Sequence, residues 1–231
     1  MIDTLPEHMA IIPDGTRRWA RKRGLAETEG AKAGAENMHR IVAYLLDAGI
    51  RYLTVWGFST DNWKRSDDQI RFLFQQAQAW IERDAPWLHS RGVRLRHIGR
   101  TERLPPALQQ AISYWGKLTR QNAGMTFIVA FDYSGRVEVI HAIRRLIEAG
   151  ITPQMVDDDL FGHYLYMDGM PDVDLVIRTG GELRLSNFML WQTAYSECYF
   201  TDVLWPDFDT TELEKALQAY SQRQRRFGGG V

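Results

Sequence analysis

Residues 8–18 read HMAIIPDGTRR: five residues suited to a buried strand, a break at Pro13-Asp14-Gly15, then basic sequence that can open a helix. Proline cannot continue a strand ladder, and glycine admits backbone conformations closed to other residues, so a strand over 8–12 ends here. A strand that passes straight into a helix is the opening unit of an α/β fold.

The same alternation recurs outward from this point. Residues 29–48 place Met38, Ile41, Val42, Leu45 and Leu46 on one helical face, and Gly49 stops that helix. The run RYLTVWGF at 51–58 is a second strand, and 67–90 carries Ile70, Leu73, Phe74, Ala77, Trp80 and Ile81 at helical spacing. A strand at 93–98 and a helix at 104–118 follow, with Pro105 and Pro106 in the helix's first turn. Further on come a strand at 125–131, a helix at 136–148 closed by Gly150, and a short helix near 156–164. A strand at 173–177 and a last helix at 210–225 complete the pattern. Strands separated by helices of this length need crossover connections, which makes the sheet mainly parallel. With no repeat, linker or break in composition, residues 1–231 are expected to form a single α/β domain. Ligands of such sheets bind beyond the carboxyl ends of the strands.

Composition narrows the function classes. The 231 residues carry a formal net charge of -1, which disfavours a protein that coats nucleic acid through its overall field. Cys198 is the single cysteine and cannot form an internal disulfide, which points to a reducing compartment. The start MIDTLPEHMAII has no basic segment ahead of an apolar one, and no apolar run reaches the length of a membrane span. A soluble, cytoplasmic protein is expected. Aromatic residues make up 12% of the chain, which serves equally a large core or a cavity for a long apolar ligand.

Three polar clusters fall at predicted strand ends. The first is Asp14-Gly15-Thr16-Arg17-Arg18. Helix-opening N–H groups and two arginines attract phosphate, and a carboxylate among them makes sense if Mg²⁺ bridges it to the anion. The alternative is that Asp14 caps a helix and RRWARKR is a solvated basic face. The second cluster, Ser59 to Arg65, contains Ser, Asp and Asn, which favour turns whatever the function. The third, RTGGELRLSNF at 178–188, joins a strand-ending arginine to a flexible glycine pair, Arg184 and Ser186. It lacks the spacing of a nucleotide-binding loop, so it reads as a second diphosphate cradle. Two such cradles and an aromatic interior fit a reaction between two diphosphates, one of which ionises to an allylic cation behind apolar walls.

The stretches HMAIIPDGTRRWARKRG, FSTDNWKR, DLVIRTGGELRLSNFMLWQTAYSECYFTDVLWPDFD and RRFGG resemble the cis-prenyltransferases, typified by undecaprenyl diphosphate synthase, in the family's order from residue 8 to 230. The resemblance implies a six-stranded, mostly parallel sheet flanked by helices, a hydrophobic tunnel for the growing chain, and a homodimer. It implies a Mg²⁺-dependent enzyme of isoprenoid biosynthesis that condenses isopentenyl diphosphate with an allylic diphosphate primer and releases diphosphate. Peripheral membrane contact for product release goes with that activity, and nucleic-acid binding does not. Asp14 matches the aspartate that holds Mg²⁺, with Glu197 as a second metal ligand. Gly15, Thr16, Arg17, Arg18 and Arg65 stand in the allylic diphosphate site. Arg178, Arg184, Ser186, Arg226 and Gly228 match the isopentenyl diphosphate site, the last two reaching it from a partner subunit. Ser59 and Asn62 lie beside the reacting centre, and Trp19, Phe58 and Trp63 are assigned to the hydrocarbon.

Departures from the family pattern concentrate in the first loop. Pro13 precedes the aspartate where a large apolar residue is common, Thr16 stands for an asparagine, Glu27 for an arginine, Ala31 for a histidine, and Gly57 often for an alanine. Beside the regular synthase, two readings stay open: head-to-middle coupling of two allylic diphosphates, and a non-catalytic partner subunit of a heteromeric prenyltransferase. Phe72, Phe74, Trp80 and Trp87 of the 67–90 helix either plug the tunnel or pack elsewhere, and periodicity does not choose between the two.

Overall fold

The computed structural model describes residues 4–223. Strand β1 (His8–Ile12) is followed by helices α1 (Thr16–Lys22) and α2 (Glu27–Asp47), then β2 (Tyr52–Ser59) and α3 (Asp67–Ser90). After these come β3 (Arg94–Ile98), α4 (Pro106–Leu118), β4 (Thr126–Tyr133), α5 (Gly135–Glu148), α6 (Asp158–Tyr164), β5 (Leu175–Arg178), β6 (Glu197–Phe200) and α7 (Thr210–Ser221). The strands form one six-stranded sheet in the order β3-β4-β2-β1-β5-β6. Every pairing is parallel, so the sheet is wholly rather than mostly parallel.

Both faces of the sheet are covered, which explains why β1 is buried at every residue and shows no polar alternation. Met9 and Ile11 point to one face, where Ile41, Val42 and Leu45 of α2 and Leu213 and Leu217 of α7 pack. Ala10 and Ile12 point to the other, against Met167, Phe188 and Met189. Phe58 and Phe131, near the ends of β2 and β4, gather Leu73 and Phe74 of α3 and Leu108 of α4 into a separate cluster.

Strand β6 was not legible in the sequence. It follows an irregular segment and has only four residues, ECYF, none fully buried. No helix among the described residues is long and apolar enough to cross a membrane.

Candidate active site

Loops at the carboxyl ends of β1, β2 and β5 meet at the mouth of a cavity of about 1000 Å³. Its mouth is polar, with Asp14, Gly15, Thr16, Arg17, Arg18, Glu27, Ser59, Asn62, Arg65 and Arg178. Its deeper wall is apolar, with Phe72, Ala77, Trp80 and Ile81 from α3, Ile112 and Trp115 from α4, and Phe58, Val129 and Phe131 from the sheet. The cavity therefore lies between the sheet and helices α2, α3 and α4, with Ala31, Gly34, Ala35 and Met38 of α2 on its wall.

Asp14 is placed by backbone geometry and by a buried hydroxyl. Gly15 caps α1 in the left-handed region (φ 106°), and a Cβ there would fall 2.7 Å from Leu204 Cδ2. No side chain caps α1, so Asp14 is not a helix cap. Instead Thr179 Oγ1 accepts from the Asp14 N–H at 2.9 Å and donates to the Asp14 carbonyl at 2.8 Å. The carboxylate then receives Arg18 Nη2 on Oδ1 and Arg178 Nη2 on Oδ2, each at 3.0 Å. The close approach of the two loops needs Gly180, whose φ is 85° and where a Cβ would meet Arg18 Nη2 at 2.7 Å.

Arg178 links the first and third clusters. Beyond Asp14, its Nη1 donates to Ser186 Oγ at 2.7 Å and to the Arg184 carbonyl at 2.5 Å. The residue is only 5% exposed, and its Nε–H is buried without a hydrogen-bond partner among the described residues. A buried cationic donor left open is what a bound anion would satisfy. Ser186 and Asn187 both hold positive φ (52° and 70°), and Asn187 is fixed by the start of α5, where its carbonyl accepts from Gly135 and its Oδ1 from Arg136. Arg184 itself pairs with Glu182.

The second cluster is built as a turn and still reaches the mouth. Ser59 Oγ accepts from the Asp61 N–H, and Asn62 Oδ1 accepts from the Ser59 N–H at 3.0 Å. The register slips around Gly57, since Trp56 pairs with Ala130 and Phe58 with Phe131, and this irregularity re-aims the end of β2. Arg65 makes no ion pair among the described residues. Burial, followed by repulsion from Arg17, lowers its pKa, while Asp14 and Glu27 pull it back up.

Several expected positions differ. Phe58 lines the cavity, but Trp19 and Trp63 do not. Trp19 donates to Asp207 Oδ1 at 2.7 Å under the Arg23 guanidinium, and Trp63 donates to Asp132 Oδ1 at 2.7 Å under Arg103. Their rings are held by these polar partners at the surface and in the sheet–α3 cluster. Glu197 is level with Leu175, and Leu175 is level with Met9, five residues before Asp14. At ~3.3 Å per residue, that puts it about 16 Å away along the strands, at the other end of the sheet. Its carboxylate pairs with Arg223 at 2.7 Å, so one chain does not bring Glu197 to Asp14. Arg226 and Gly228 lie outside the described residues. Of the helix aromatics, Phe72 and Trp80 line the cavity, Phe74 packs beside Phe58 and Phe131, and Trp87 packs at a tilt against His39. Sequence reasoning passed over Thr179, which sat inside the third cluster without a charge to mark it.

A family model described as putative undecaprenyl diphosphate synthase matches residues 12–228. An isoprenyl transferase of Fusobacterium nucleatum is 44% identical over 229 residues, covering 99% of this chain and 98% of that protein. The crystal structure of lavandulyl diphosphate synthase from Lavandula x intermedia, in complex with dimethylallyl diphosphate, superposes with a TM-score of 0.93 at 39% identity. That match covers 97% of this chain and 98% of that one. A probable undecaprenyl diphosphate synthase from Campylobacter jejuni superposes with a TM-score of 0.83 at 30% identity, covering 98% and 99% of the two chains.

Proposed function

The chain belongs to the undecaprenyl diphosphate synthase family of prenyltransferases, and on that premise we propose that it condenses isopentenyl diphosphate with an allylic diphosphate primer, releasing diphosphate. The observation that carries this reading is one continuous cavity with arginines and Asp14 at its mouth and an apolar wall behind them. A prenyl diphosphate has the same two-part character.

The residues of the mouth fit Mg²⁺. Among the described residues no three His, Cys, Asp or Glu side chains gather to hold an ion by themselves. Mg²⁺ does not need such a cage, since it takes one or two carboxylates and completes its shell with phosphate oxygens and water. Asp14 would hold it, and the bound ion would neutralise charge on the departing diphosphate. Arg18 and Arg65 then grip the primer's phosphates, and Arg178, with Ser186 beside it, receives the second diphosphate. Phe58, Phe131 and the α3 face keep water from the allylic cation. Asn62 and Ser59 orient the double bond that attacks.

A homodimer formed through α5 belongs to this reading. Ile140, Ile143 and Ile147 are 50%, 45% and 71% exposed on one side of α5, opposite the buried stripe of Glu138, Ala142 and Leu146. A cytoplasmic location, with contact at a membrane surface during product release, follows from the same substrates.

A second reading is irregular coupling of two allylic diphosphates. It draws on the likeness to the lavandulyl enzyme and on Thr16, Glu27 and Ala31 around the first cradle. Mass analysis of products formed from dimethylallyl, geranyl or farnesyl diphosphate, with and without isopentenyl diphosphate, tests the two. Products that lengthen by five carbons only when isopentenyl diphosphate is present support the first. A product from dimethylallyl diphosphate alone supports the second.

A further inference from the structure

Glu27 opens α2 at the rim of the mouth. Its Oε1 accepts from both Nε and Nη2 of Arg17, at 3.0 Å and 2.8 Å. The guanidinium edge best shaped to grip a phosphate is thereby turned onto a carboxylate of the same chain. An acidic residue in the first turn of a helix is favourable without any partner, so the helix alone does not require this contact. The two side chains are 44% and 47% exposed, and an ion pair so exposed contributes little to stability. Its consequence lies in what it does to the mouth. It occupies one phosphate donor and sets a negative charge against any anion held by Arg65, whose environment already includes Arg17, Asp14 and Glu27.

We propose that Glu27 is a specificity residue: by holding Arg17 it keeps the mouth's grip on a bare diphosphate weak. Inorganic pyrophosphate then leaves readily after each turnover, and the hydrocarbon tail in the cavity, more than the headgroup, decides which diphosphate stays. The inference rests on reading the mouth as a diphosphate site.

Calorimetric titration with inorganic pyrophosphate tests it without any turnover. Glu27→Gln is expected to bind pyrophosphate about tenfold more tightly than wild type, the order expected for removing one charge a few ångströms from a polyanion. Arg17→Ala is expected to weaken Glu27→Gln by about tenfold more than it weakens wild type, because only in Glu27→Gln is the guanidinium free to grip the anion. Equal affinities for wild type and Glu27→Gln, or equal losses from Arg17→Ala in both backgrounds, would overturn the proposal. Arg65→Ala separates the two levels of the argument. If it abolishes binding while Glu27→Gln has no effect, the mouth is a diphosphate site and the role given to Glu27 fails. If neither wild type nor Glu27→Gln binds pyrophosphate, both readings fail.

Discussion

Thr179 is fully buried and touches the backbone of Asp14 rather than its carboxylate. Its hydroxyl satisfies the Asp14 N–H and carbonyl together, which fixes where the carboxylate emerges between Arg18 and Arg178. It is therefore a positioning residue. Thr179→Val keeps the shape and removes the hydroxyl, leaving the Asp14 N–H without its partner while the Trp205 N–H still reaches the Asp14 carbonyl at 3.0 Å. We expect kcat to fall by about tenfold to a hundredfold, with a smaller change in KM, since misplacement of a catalytic group by about 1 Å has effects of that order. Thr179→Ser should restore most of the activity. Full kcat in Thr179→Val, or no rescue by serine, would contradict this role. At this scale the charged clusters were legible because arginine, carboxylate and glycine together are a chemical signature. Thr179, and the capture of Arg17 by Glu27, were not, because each depends on a contact across loops that no local spacing records.

Helix α3 separates two kinds of aromatic residue that the sequence could not tell apart. Phe72 and Trp80 face the cavity, whereas Phe74 fills the cluster of Phe58, Phe131 and Leu108. Phe72→Ala and Trp80→Ala should lengthen the product by one or more five-carbon units, read by mass analysis. Phe74→Ala should leave the length unchanged and lower stability by about 3 kcal/mol in urea unfolding. A longer product from Phe74→Ala and none from the other two would reverse the assignment. Element order was legible from alternating apolar runs and helical periods, and α3 begins and ends where its periodicity placed it. Strand β6 was missed because its four residues are only half-buried and follow a loop with Gly180, Gly181 and three positive-φ residues, Ser186, Asn187 and Met189. With β6 missing, nothing in the chain showed that Glu197 starts a strand at the end of the sheet away from Asp14.

For the whole molecule, the buried histidines set a dependence on pH. His8, at the start of the central strand, donates Nδ1–H to the Pro171 carbonyl at 2.8 Å, which leaves Nε2 to accept from Thr54 Oγ1 at 2.9 Å. Burial lowers its pKa below the ordinary 6.5, against weaker opposing contributions from Pro171 and Asp174. His97 is shifted the same way, also chiefly by burial. A depressed pKa gives stability that is present above the unfolded value and is lost as pH falls toward the folded value. Unfolding free energy should therefore decline as pH drops from 7.5 through 6.5 toward 5, and less steeply in His8→Gln. Glu138 acts in the opposite sense, since burial raises its pKa and it favours folding more as pH falls. The difference between wild type and His8→Gln isolates the histidine, and parallel curves for the two would contradict this account.

Sheet, cavity and loops converge on Asp14, the residue after the break that ends β1. Its carboxylate, set between Arg18 and Arg178 at the mouth of an apolar cavity, is the point at which a cation and a diphosphate would meet. The most direct test is condensation of isopentenyl diphosphate with an allylic primer by wild type and Asp14→Ala, in Mg²⁺ and in excess chelator. We predict a loss of at least about a thousandfold in kcat for Asp14→Ala, of the order seen when a principal charge-stabilising group is removed, and no turnover of wild type in chelator. Turnover by Asp14→Ala within about tenfold of wild type, or full activity in chelator, would contradict the account.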